Sequence, residues 1–229
     1  MNGQPILDNA WLFAHGLATT LGLLSASLLA GGALAVPMAV ARTSRHWWMA
    51  RPVWLFTYAI RGTPLLVQLY LLYYGVAQFE AVRNSVAWVA LRSAWFCAAL
   101  AMAINTCAYT TEMLAGAIRS LPYGELEAAD ALGMSAWQRL RRIVLPLAFR
   151  RSIPAYSNET VMMLHGTSLA SVVTLVDVTG VARDINSRFY LPFEAFLTAA
   201  ALYLALTFAL VAAFRQAERR WLAPLRRGN

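Results

Sequence analysis

Residues 127–146 read EAADALGMSAWQRLRRIVLP, and the rest of the chain is organised around them. The stretch opens on acids and strong helix formers, is broken by Gly133, and closes on Arg139, Arg141 and Arg142 before Leu145-Pro146. Acids favour a helix N-terminus and arginines a C-terminus. The order therefore predicts a helix, a turn at Gly133, and a second helix N-capped by Ser135 and stopped by Pro146. Long apolar runs lie on either side. A charged helical segment between two such runs belongs in water, and it is too elaborate for a connector. Ala128, Ala129 and Leu132 make a small apolar patch beside Glu127, of a size to enter a groove on a soluble partner. The plainer alternative is an amphipathic connector lying on its own membrane domain.

Composition sets the class. Hydrophobic residues are 59% and charged residues 13% of 229, where a soluble domain carries about 25% charge. The apolar residues come in runs, which is the membrane signature. All 19 basic residues are arginine, against 11 acids. The aromatics lie mostly inside apolar runs, not beside exposed basic residues, which argues against nucleic acid as a partner. Cys97 and Cys107 fall in one apolar run. Ten residues of helix would hold them about 15 Å apart, too far to bridge. The opening MNGQPILDN lacks the basic region of a cleavable signal peptide.

Five membrane spans are expected, at about residues 15–39, 62–79, 93–117, 157–177 and 194–214 of a single domain, 1–229. Trp11 suits an interfacial entry helix before the first span. Arg61 is costly inside lipid, so the second span starts near Thr63, with Pro64 in its first turn and a short separate helix before it. Segment 178–192 reads as an external loop. Five spans place the termini on opposite sides. The 42–51 loop, the middle segment 119–151 and the tail carry fourteen arginines, while Arg83, Arg92, Arg183 and Arg188 are the four on the other face. The positive-inside rule makes the fourteen-arginine side cytoplasmic and the N-terminus external. Five spans hardly enclose a path alone, so a partner permease is expected.

EAADALG, nine residues, Ile143 and then Leu145-Pro146 resemble the EAA loop of prokaryotic ABC importer permeases. Arg61-Gly62-Thr63-Pro64-Leu65-Leu66-Val67-Gln68 and Ala108-Tyr109-Thr110-Thr111-Glu112 with Gly116-Ala117-Ile118 resemble the polar amino acid uptake permeases. So do Pro154 to Glu159, Thr167-Ser168-Leu169, Ala182 to Asn186 and Ala217 to Trp221. The likeness covers most of the chain from about residue 55. It is strongest to the M-type permeases of histidine/lysine/arginine/ornithine importers and their octopine and nopaline relatives. Ala115 departs from the broader family, where many members have arginine.

That resemblance implies an all-α, polytopic type I ABC importer permease in the bacterial inner membrane, importing basic or polar amino acids. It implies a second homologous permease (a Q-type subunit, forming a heterodimer), two cytosolic ATPase subunits and a periplasmic binding protein. ATP and Mg would be bound by the ATPase partner. This chain has no GxxxxGK[ST] phosphate loop of its own, so it is expected to be a transport subunit and not an enzyme. A proton- or sodium-coupled carrier and a non-transporting scaffold are the alternatives.

Residue roles follow as expectations. Glu127, Ala128, Ala129, Gly133 and Arg141 would engage the ATPase. Gln68, Asn105, Glu159, Thr167 and Ser168 would line the substrate path. Glu112 and Glu159 near membrane ends suit either a cationic substrate or a lock with Arg61 and Arg119, and the lock is the stronger expectation, since all four fall near the same membrane face. Asp177, Arg183 and Asp184 would meet the binding protein. His15, His46 and His165 are too scattered for a metal site. Trp47, Trp48 and Trp221 read as interfacial anchors beside lipid.

Overall fold

The computed structural model describes residues 4–226, and every regular element among them is helical. A short α1 (Gln4–Asp8) leads into α2 (Ala10–Arg42), which runs unbroken for 33 residues. The entry helix and first span of the sequence reading are thus one element. Pro37 lies inside it without ending it. Helix α3 (Trp47–Arg61) is followed by Gly62-Thr63-Pro64 and α4 (Leu65–Tyr70), which continues as a π turn (Leu71–Gly75) and a 3-10 turn (Val76–Gln78). The two halves are bent by 100° at the break. Pro64 has no N–H to lose at a helix start, so the break falls there.

Short α5 (Glu80–Arg83) and α6 (Trp88–Leu91) precede α7 (Ala94–Arg119), N-capped by the Ser93 side chain. The middle segment forms α8 (Tyr123–Ala131) and α9 (Ala136–Arg139). A π turn (Leu140–Val144) then feeds α10 (Leu145–Gly166), which ends in a 3-10 stretch (Thr167–Val173). Helices α11 (Val178–Phe189) and α12 (Pro192–Arg226) complete the chain. The expected loop at 178–192 is therefore largely a helix. Its buried Val178, Val181, Ala182 and Ile185 recur at helical spacing, a signal the sequence carried.

The core is built around α2 and α7. Buried Leu23, Leu69, Met102 and Leu164 bring α2, α4, α7 and α10 together. A second cluster joins Phe13 to Val178, Val181, Ile185 and Ala195. Gly31 lets α2 touch α7: a Cβ there would stand 2.6 Å from the Ala103 carbonyl oxygen and 2.8 Å from Thr106 Cβ. Small residues permit this approach in lipid, where van der Waals packing drives helix association.

Two helices, α2 and Pro192–Trp221, are long and apolar enough to cross a membrane alone, and two bent pairs bring the number to four. Helix α7 falls outside that set although it has 26 residues. It is the most enclosed helix of the bundle, and Asn105, Thr106, Thr110 and Thr111 on it are all buried by protein.

Candidate functional site

The helix–turn–helix segment is closed by local chemistry. Gly133 has φ +72, the left-handed conformation that suits glycine. The Met134 N–H reaches the Ala129 carbonyl at 3.1 Å and the Gly133 N–H the Asp130 carbonyl at 3.0 Å, a Schellman closure. Ser135 then caps α9 in a capping box: its hydroxyl accepts from the Gln138 N–H, and the Gln138 side-chain oxygen accepts from the Ser135 N–H at 2.9 Å. Arg139 clamps back onto both carboxylate oxygens of Asp130, joining the helices across the turn.

Glu127, Ala128, Gly133 and Arg141 are exposed, and so are Tyr123, Leu132 (80%) and Trp137. Ala129 is not: it is 1% exposed, because it lies on the inward face of α8. It cannot touch a docked partner, which corrects the expected patch. Pro146 does not stop the second helix either. The π turn at 140–144 and the position of Pro146 in the first turn of α10 let the chain pass through it.

Glu112 is held by Arg42, with Nε 2.7 Å from Oε1, and by the Thr57 hydroxyl, which donates to the same oxygen at 2.7 Å. The Arg119 guanidinium donates to the Arg42 carbonyl at 3.3 Å. A lock thus exists among α2, α3 and α7, but its cation is Arg42. Arg61 lies one turn beyond Thr57 on α3 and instead stands over the Tyr109 ring, 5.1 Å from its centroid.

Beside that pair lies a cavity of about 590 Å³, lined by the Arg61–Leu65 break, Asn105, Tyr109, Glu159 and the end of α10. The Gln68 side chain holds the break in place. Its NH₂ donates to the Ile60 carbonyl at 2.7 Å and to the Thr63 carbonyl and hydroxyl, and its oxygen accepts from Asn105 at 3.2 Å. Of the expected path residues, Asn105 and Glu159 line the cavity and Gln68 stands behind it. Thr167 is buried and donates to the Leu164 carbonyl, and Ser168 donates to the His165 carbonyl. Both hydroxyls close the turn that ends α10 and do not line the cavity. His165 does, as do Thr63 and Tyr109, none of which the sequence reading placed there. An aromatic and a histidine two helices apart give no local signal of convergence.

Asp177 is fully buried. Its carboxylate accepts from the Thr179 and Gly180 N–H groups at 3.1 and 3.0 Å, capping α11, and from the Tyr203 hydroxyl at 2.8 Å. It is an internal cap and offers nothing to a docked protein, which corrects that expectation. Arg183 is exposed, although it donates to the Ser171 carbonyl, and Asp184 is half-buried.

Residues 20–223 match the family described as binding-protein-dependent transport system inner membrane component. The histidine/lysine/arginine/ornithine transport system permease protein HisM of Salmonella typhimurium is 52% identical over 90% of this chain and 88% of its own length. The nopaline transport system permease protein NocM of Agrobacterium fabrum is 44% identical over 98% of this chain and 93% of its own. Among solved structures, the crystal structure of an amino acid ABC transporter with histidines superposes with TM-score 0.85 at 30% identity, covering 96% of this chain and 99% of that one. The MetNI methionine ABC transporter in an inward-facing conformation shares the fold, with TM-score 0.79 at 17% identity over 93% of this chain and 97% of that one. This chain belongs to the family of binding-protein-dependent transport system inner membrane components, as a multi-pass permease subunit and not an enzyme.

Proposed function

We propose that this chain is the M-type permease subunit of an ATP-driven importer of basic or polar amino acids. The observation that carries this is its near-full-length likeness to a histidine/lysine/arginine/ornithine permease. It would work with a second homologous permease, two cytosolic ATPase subunits and a periplasmic binding protein. The exposed α8–Gly133–α9 element is the contact for the ATPase, with Glu127, Ala128, Gly133 and Arg141 on its surface, joined by Leu132 and Trp137. Five crossings, with α7 as the central one, put the N-terminus in the periplasm and the tail in the cytoplasm. The fourteen arginines on the coupling side support that orientation. The cavity carrying Asn105 and Glu159 is this subunit's share of the substrate path, while Arg183 and Asp184 are its candidates for the binding-protein contact.

The test is reconstitution. The chain is co-expressed with its partner permease, ATPase and binding protein, and uptake of labelled histidine, arginine, lysine and ornithine is followed in proteoliposomes. Uptake that needs both ATP and binding protein is expected. If no ATPase co-purifies, and uptake follows a proton or sodium gradient instead, the chain is a secondary carrier.

A further inference from the structure

A second cavity adjoins the first. It has a volume of about 410 Å³ and is lined by Arg61, Tyr109, Glu112, Met113, Ala155 and Glu159. Arg61, Tyr109 and Glu159 line both cavities. Two helices give the same order independently. On α7 the large cavity is lined by Asn105, the shared level is Tyr109, and the smaller cavity takes Glu112 and Met113, towards Arg119. On antiparallel α10 the smaller cavity takes Ala155, the shared level is Glu159, and the larger cavity takes Met162 to Gly166. From Asn105 to Glu112 is seven residues, about 10 Å of helix. The cavities are therefore stacked along the bundle, with the smaller at the end that carries α8 and α9. What divides them is the Arg61 guanidinium laid over the Tyr109 ring.

We infer that the Arg61–Tyr109 pair is the cytoplasm-side seal of the substrate path, parting an upper chamber at Asn105 from a lower one at Glu112. This rests on the importer reading. The seal has two physical parts. The stacked guanidinium and ring lie at the level between the chambers, and the attraction of a cation for an aromatic face holds the two together. The fixed positive charge also opposes the passage of cations through the resting protein. Arg61 ends α3 and begins the Gly62-Thr63-Pro64 break, so a small change at the 100° bend carries the guanidinium off the ring. The charge of Glu112 is already paired with Arg42, which shares its Oε1 with the Thr57 hydroxyl. Opening thus leaves Arg61 facing Glu159, the one carboxylate lining both chambers.

The test uses the complete importer in proteoliposomes loaded with labelled lysine, with no ATP, and measures efflux from Arg61→Ala, Tyr109→Leu and Tyr109→Phe complexes recovered at the wild-type elution volume. Arg61→Ala and Tyr109→Leu are expected to raise ATP-independent efflux about two- to fivefold, the factor matching loss of one exposed cation–ring contact. Tyr109→Phe keeps the ring and stays tight. Tight vesicles with both Arg61→Ala and Tyr109→Leu overturn the seal, and so does equal leak from Tyr109→Phe. Should Arg61→Ala not assemble, the two Tyr109 variants decide between them. The wild-type complex separates the two levels of inference. If it shows ATP-dependent uptake while the variants do not leak, only the seal fails. If it shows none, the importer reading itself fails.

Discussion

Glu112 ties three helices together with one oxygen, and its partners are the residues to test first. Removing a hydrogen bond to a charged group costs about 2 kcal/mol. Arg42→Ala and Glu112→Ala are each expected to lower the thermal inactivation temperature of the purified complex, and the double variant to lose little more than either alone. Additive losses in that cycle would show that the two side chains do not act as a pair. Asp177→Ala removes the α11 cap and strands the Tyr203 hydroxyl, costing about 1–2 kcal/mol for the cap. Because the carboxylate is enclosed, the same variant should leave affinity for the binding protein unchanged once the complex is folded. A loss of that affinity at unchanged stability would contradict the burial. At this scale the sequence was a partial guide. It marked Glu112 as a locked carboxylate but pointed to Arg61 and Arg119, its neighbours near the same membrane face. Arg42 is 70 residues away, and no local pattern says that α2 and α7 meet there.

Elements defined by their own caps were the most legible part of the chain. Gly133 and Ser135 lie within a few residues of everything they bond to, so the helix, turn and helix could be read directly. Gly133→Ala meets no neighbouring atom, since a Cβ at that position has open space. Its cost is the left-handed backbone alone, about 1–2 kcal/mol. It should therefore weaken ATPase capture mildly, whereas Gly133→Pro, whose ring forbids positive φ, should abolish it. Glu127→Lys reverses an exposed charge, and is expected to leave melting unchanged while the ATPase is lost in pulldown. Equal ATPase recovery with Glu127→Lys and the native chain would remove this helix from the contact. What the sequence hid was continuity. Pro146 reads as a stop, but a widened turn at 140–144 carries the helix through it and couples α9 to α10 without a hinge loop. Such a turn depends on what packs around it and has no residue signature.

At the level of the whole molecule, apolar runs carried the all-helical, multi-pass architecture, and the bend at Gly62-Thr63-Pro64 was announced by its residues. Helix α7 shows where that approach stops: burial by protein lets a central helix carry Asn105 and three threonines, so composition understates it. A crossing by α7 would make the span number odd, and the proposed topology depends on it. A green fluorescent protein fused at the tail should fluoresce in cells, and a cysteine placed at Asn2 should react with an impermeant maleimide added outside. A cysteine at Ser135 should stay protected until the cells are opened. Five crossings require all three results together. With only the four crossings that composition supports, both ends would lie on one side, so a fluorescent tail would come with a protected N-terminus. The pair of end reporters therefore decides whether α7 spans. The Ser135 probe decides separately whether the helix–turn–helix element shares a compartment with an ATPase.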